Sequence, residues 1–170
     1  MVEYSILTIN LLYMKISKNL TLAELTKSQT AVRRGIDNTP LPQHVENLRL
    51  VAEKVFEPVR QHFGVPIAVT SGYRSEALNK AIGGSKTSEH CLGMALDLDA
   101  DMLGGVTNRE IFEYILKSLD FNQLIWEFGD SKNPDWVHVS YRPSGNKKEV
   151  LRAFKNSPSG ATRYRPFTQA

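Results

Sequence analysis

The spacing of apolar residues changes character near Gly64. Before it, the segment from His44 to His62 places Val45, Leu48, Leu50, Val51, Val55 and Phe56 at helical intervals. Pro40 and Pro42 stand ahead of this pattern and Gly64 closes it, so a long helix is expected, kinked or split at Pro58. Upstream, Thr21-Leu22-Ala23-Glu24 has capping-box spacing, in which the Thr and Glu side chains satisfy free N–H groups of the first turn. It predicts a short helix that ends before Arg33-Arg34-Gly35.

Beyond Gly64 the period shortens. Pro66 to Thr70 reads as a strand running into Ser71-Gly72-Tyr73-Arg74, and Ser75 to Ile82 as one or two helical turns closed by Gly83-Gly84. Met94 to Asp99 alternates, with Met94, Leu96 and Leu98 on one side and Ala95, Asp97 and Asp99 on the other. Thr107-Asn108-Arg109-Glu110 is a second capping box and opens an amphipathic helix to about Leu119. Gln123 to Phe128 and Trp136 to Tyr141 read as further strands joined by a polar turn. Helices first and short strands later predict an α+β domain with a small, mainly antiparallel sheet.

Composition narrows the class. The chain has 170 residues, 41% hydrophobic and 23% charged, as expected of a soluble globular protein with one real core. Its single cysteine, Cys91, excludes an intramolecular disulfide. The apolar stretch Tyr4 to Met14 lacks a basic flank and a small-residue cleavage site, and it is too short to span a bilayer. The expectation is synthesis in the cytoplasm without a signal peptide, with Met14 a plausible start of translation. The charge is uneven: residues 142–170 carry seven Lys or Arg against Glu149 alone, while residues 1–141 carry fourteen against seventeen acids. Such a tail suits an anionic polymer or simple solvation, but no nucleic-acid motif accompanies it, so nucleic acid is not the expected partner. No repeat or linker appears. The divisions expected are an extension over 1–20, a folded domain over 21–141 and a basic tail over 142–170.

The chemistry concentrates in Ser88-Glu89-His90-Cys91-Leu92-Gly93-Met94-Ala95-Leu96-Asp97. A carboxylate in the middle of an otherwise apolar strand is costly unless it is paired, and a metal is one such partner. His138, between Val137 and Val139, repeats the pattern. If the two strands are neighbours, Asp97 and His138 share a face and His90 folds over from its loop, giving two imidazoles and a carboxylate with an open fourth position. His44 and His62 lie on the helical segment and read as packing or surface residues. Spacing alone leaves a second reading open, in which the histidines are satisfied in the core and Asp97 pairs with an arginine such as Arg74. Cys91 adjoins His90 and reads as a small buried residue.

The motif Ser88-x-His90-x-x-Gly93-x-Ala95-x-Asp97, followed by Trp136-Val137-His138-Val139, resembles the zinc D-Ala-D-Ala carboxypeptidase and L-alanyl-D-glutamate endopeptidase family, most closely its small phage-type members. The likeness runs from about Leu22 through Tyr141 and includes Ser71-Gly72-Tyr73-Arg74-Ser75 and Gln123-Leu124-Ile125-Trp126-Glu127. It implies a Hedgehog/DD-peptidase-like fold with Zn2+ held by His90, Asp97 and His138 in a zinc peptidase domain over 21–141. It also implies Asp135 as general base, with Glu127 as runner-up, and Arg74 facing the scissile carbonyl. Ser88 would position substrate or the His90 loop. The expected enzyme is a monomeric zinc metallopeptidase acting on peptidoglycan peptides at the bacterial wall, phage endolysins included. A zinc-stabilised wall-binding module without catalysis is the alternative.

Overall fold

The computed structural model describes residues 14–157 and 160–168. The apolar stretch before Met14 lies outside the described residues. Helix α1 (Leu22–Thr26) opens at Thr21 with the full capping box expected there. It stops sooner than its sequence suggests, because Ser28 caps a separate helix, α2 (Gln29–Arg34), which Gly35 ends in the left-handed conformation. The long helical segment runs from Pro42 to Phe63 in three parts. These are α3 (Pro42–Val51), a π-helical stretch (Ala52–Phe56) and α4 (Glu57–Phe63). Pro58 explains the middle part: it has no N–H to give the carbonyl four residues back, and the widened turn just before it absorbs the mismatch.

Six strands form one sheet: β1 (Ala68–Ser71), β2 (Ala95–Asp99), β3 (Gln123–Glu127), β4 (Trp136–Ser140), β5 (Glu149–Phe154) and β6 (Arg163–Pro166). Their order is β1-β2-β4-β3-β5-β6. Every pairing is antiparallel except β3 with β5. This is the α+β architecture that the sequence predicts, with a larger sheet. The segment over 142–170 supplies β5 and β6, and Ile16 and Leu20, ahead of the first capping box, are buried in the core.

One sheet face is greasy and covered. Leu96, Leu98, Leu124, Trp126, Val137 and Val139 join Leu48, Val51, Val55 and Phe56 of the long helical segment and Ile111, Phe112 and Ile115 of α5 (Asn108–Ser118) in one buried cluster. Burying a side chain such as Leu98 or Phe112 contributes about 1.5–3 kcal/mol, so this face holds the sheet flat against its helices. The alternate residues of the same strands point the other way. That second face carries the charges.

Candidate metal centre

Register brings the predicted residues together. Asp97 on β2 pairs with His138 on β4, so the two side chains leave the same sheet face. His90 arrives from the 3-10 turn Glu89–Leu92, which precedes β2 in the chain. Gly93 ends that turn at φ +70°, and a Cβ there would stand 2.5 Å from the His44 carbonyl oxygen. Both constraints require glycine at this point.

Gly72 fixes the other side. A Cβ on it would lie 2.5 Å from the Leu25 carbonyl oxygen, and the next N–H, of Tyr73, donates to that same oxygen at 2.7 Å. The turn is thereby clamped to α1, and the Gly72 carbonyl meets His90 Nδ1 at 2.6 Å. A carbonyl can only accept, so Nδ1 carries the proton and Nε2 is left with its lone pair free. Metal-binding imidazoles are ordinarily oriented in this way.

Three donor atoms converge. His90 Nε2 lies 3.2 Å from Asp97 Oδ1 and 3.2 Å from His138 Nδ1, and His138 Nδ1 lies 2.9 Å from Asp97 Oδ1. Ligands at tetrahedral positions around zinc, with bonds of about 2.0–2.1 Å, stand about 3.3 Å apart, so the triad fits such an ion closely. All three residues are buried, and among the described residues theirs is the one cluster of at least three such groups with the spacing to hold a metal. The charge states suit the task. Burial lowers the His90 pKa despite the neighbouring Asp97 charge, which favours the neutral ring. Burial pushes Asp97 up, but His90 and His138 outweigh it and leave the carboxyl well below its usual range. A neutral imidazole beside an ionised carboxylate is the state that accepts a divalent ion.

Arg74 is already engaged. One terminal nitrogen donates to Asp97 Oδ2 at 2.5 Å and Nε donates to Ser71 Oγ at 2.7 Å, so the ion pair left open by the sequence is present alongside the cluster. It leaves Asp97 Oδ1 turned toward the two histidines. Glu127 pairs with Trp136, one pleat along from His138, and so lies on the metal face. It is buried, and burial, with the Asp97 charge adding to it and His138 and Arg74 opposing, pushes its carboxyl up to about 7. Asp135 is exposed. Its N–H donates to the Glu127 carbonyl at 2.9 Å, immediately before the start of β4. Ser88 precedes the 3-10 turn, and its hydroxyl does not cap it. Cys91 is half-buried with its thiol pKa raised by burial, and the donor cluster does not include it. His44 stacks on Tyr73 and His62 on Tyr114, as packing residues do.

Two supporting networks are invisible in the sequence. Asn108, fully buried, bonds Asp99, Asp101 and the carbonyls of Pro134 and Asp135, and so ties the end of β2 to the residues leading into β4. Locally it reads as nothing more than the first residue after a cap. Glu89, beside His90, accepts from Arg142 Nε at 2.5 Å and from Asn122 Nδ2 at 3.1 and 3.0 Å. Burial raises its carboxyl, and the hydrogen bonds from Ser140, Arg142 and Asn122 bring it below the ordinary value. The 3-10 turn that presents His90 is thereby anchored to the loop after β4.

Among the described residues no helix is long and apolar enough to cross a membrane. No curated protein matches the chain. The family model Peptidase M15 matches residues 18–140, which takes in every ligand candidate as well as Arg74, Glu127 and Asp135. With most of its length matched, and a histidine–aspartate–histidine cluster shaped for a metal inside the match, the chain belongs to the Peptidase M15 family.

Proposed function

We propose that the protein is a zinc-dependent metallopeptidase that hydrolyses a peptide bond in bacterial peptidoglycan, with His90, Asp97 and His138 as the zinc ligands in a DD-peptidase-like fold. The observation that carries this reading is the convergence of their three donor atoms to within 4.8 Å of one another on a buried face. Zinc held in such a set supplies a Lewis acid and acidifies a water for attack on a carbonyl.

The chain's own residues supply the rest. Glu127, the runner-up base of the sequence reading, shares the sheet face of the ligands, and in this proposal it takes a proton from the attacking water and returns it to the leaving amine. A carboxyl raised to about 7 holds and releases protons near neutral pH, and a cation bound beside it shifts it toward the ionised form. Asp135, three residues before the last ligand, is the base implied by the family resemblance and the second reading; its N–H bonds the Glu127 carbonyl. Arg74 holds the Asp97 carboxylate and lies beside the site as a cation for oxyanion charge on the scissile carbonyl. Ser88 borders the His90 turn, where it can position either the loop or the peptide.

D-amino acids in wall peptides put them beyond ordinary proteases, so the site of action is the cell wall, with a phage endolysin or a wall-remodelling enzyme as the biological setting. Incubating the zinc-loaded protein, acting as a monomer, with purified muropeptides and weighing the fragments tests the proposal. A fragment shortened by hydrolysis of one peptide bond is expected, and its mass separates carboxypeptidase from endopeptidase. Muropeptides that are bound but never cut, with zinc present, would overturn the enzyme and leave a wall-binding module.

A further inference from the structure

The family match ends at residue 140, but the sheet does not. Strand β5 adds to β3, and β6 adds to β5. The registers define one continuous row across four strands: Trp136 opposite Glu127, Glu127 opposite Ala153, and Ala153 opposite Tyr164. Paired residues share a face, and Trp136 is two residues from His138, so the row lies on the face that carries the metal ligands. The flanking Arg163 and Arg165 take the opposite face, where Arg165 sits over the Phe154 ring.

Between Glu127 and Tyr164 stands only the methyl group of Ala153, and that residue is fully buried. Two interstrand steps, about 10 Å, separate the Glu127 and Tyr164 backbones, a gap that a tyrosine side chain can cross where no larger residue intervenes. The electrostatics agree with this placement. Burial raises the Tyr164 phenol, the charges of Glu127 and Asp97 raise it further, and Arg74 lowers it. The hydroxyl therefore stays protonated, a donor. Tyr164 is nevertheless 50% exposed, which leaves it open to a ligand.

We infer that the C-terminal hairpin forms one wall of the peptide cleft and that Tyr164 contacts substrate there, its hydroxyl donating to a backbone carbonyl oxygen of the bound peptide. This rests on the peptidase reading above. Arg74 and Tyr164 flank the metal ligands from opposite sides of the sheet, Arg74 next to β1 and Tyr164 on β6. A peptide lying across the strands passes from one to the other. Because the carbonyl it contacts is not the one that reacts, the bond acts equally on bound substrate and transition state, and its loss appears in KM.

The experiment compares wild type, Tyr164→Phe and Tyr164→Gln in steady-state cleavage of purified muropeptides, with zinc content and thermal midpoint measured on the same samples. Tyr164→Phe keeps the ring, so it should keep its fold and zinc. Its KM should rise about tenfold, the loss of roughly one hydrogen bond, with kcat changed less than about threefold. Tyr164→Gln, which restores a donor, should recover part of the difference. Tyr164→Phe with unchanged KM, or with kcat lost at unchanged KM, would overturn the assignment while the peptidase stands. Wild type that cleaves nothing would remove the peptidase reading, and this assignment with it.

Discussion

The two faces of the sheet are built from the same strands and differ by a shift of one residue. Leu96 and Leu98 point into the helices, while Asp97 between them points at two histidines. Val137 and Val139 likewise flank His138. The covered face is insensitive to detail beyond shape and greasiness. The other face keeps polar groups buried, most of them paired: Asp97 with Arg74 and the imidazoles, His90 with the Gly72 carbonyl, Glu89 with Arg142 and Asn122; Glu127 is instead pushed toward its neutral form. The covered face gives the stability that the charged face draws on. Changes to the first should move folding and leave zinc alone, and changes to the second should do the reverse.

The largest effect expected on this contrast comes from the covered face. Leu98→Ala leaves a cavity where a fully buried side chain was, and should lower unfolding free energy by about 2–5 kcal/mol. Denaturant midpoints check it, and zinc stoichiometry below the transition should stay at the wild-type level. Next comes the proposed proton carrier. Glu127→Gln should retain zinc and fold yet lose turnover on muropeptides by about a hundredfold or more, since an amide cannot carry the proton. If Asp135→Asn is the dead variant and Glu127→Gln stays active, the two carboxylates exchange roles.

The smallest effect sharpens the comparison through pH. The Glu127 carboxyl is raised to about 7 in the folded protein, above its ordinary unfolded value near 4.5. The folded state therefore holds a proton that the unfolded chain has already released between those values. Stability from this group is fully present below about 4.5 and is lost as pH rises toward 7. In chelator, the metal-free Glu127→Gln variant should match wild type near pH 4 and exceed its stability at pH 8 by on the order of 2 kcal/mol. Paired denaturation curves at the two pH values measure it, and an equal gap at both would place the Glu127 titration elsewhere.

Much of the charged face was legible because its strands alternate. Met94 to Asp99 and Trp136 to Tyr141 announce a polar residue against an apolar background, and the two capping boxes and Gly64 bound the helices that cover the other side. The hairpin was not legible. Its Arg163-Tyr164-Arg165 alternation has a charged rather than an apolar face, so it reads as a solvated basic tail. Its identity as strand comes from a parallel pairing of β5 with β3 that nothing local encodes. Asn108 and Glu89 escaped for a related reason: each owes its role to partners dozens of residues away. The break between α1 and α2 needed only the Ser28 cap, which competes with the helical pattern around it.

The central claim is the ligand set, and the most direct measurement of it is zinc bound per folded chain, by elemental analysis, for wild type, His90→Ala and His138→Ala. Wild type purified without chelator should hold about one zinc, as a catalytic site with three protein ligands does, and each variant should fold while losing most of it. Equal zinc in all three proteins would contradict the account.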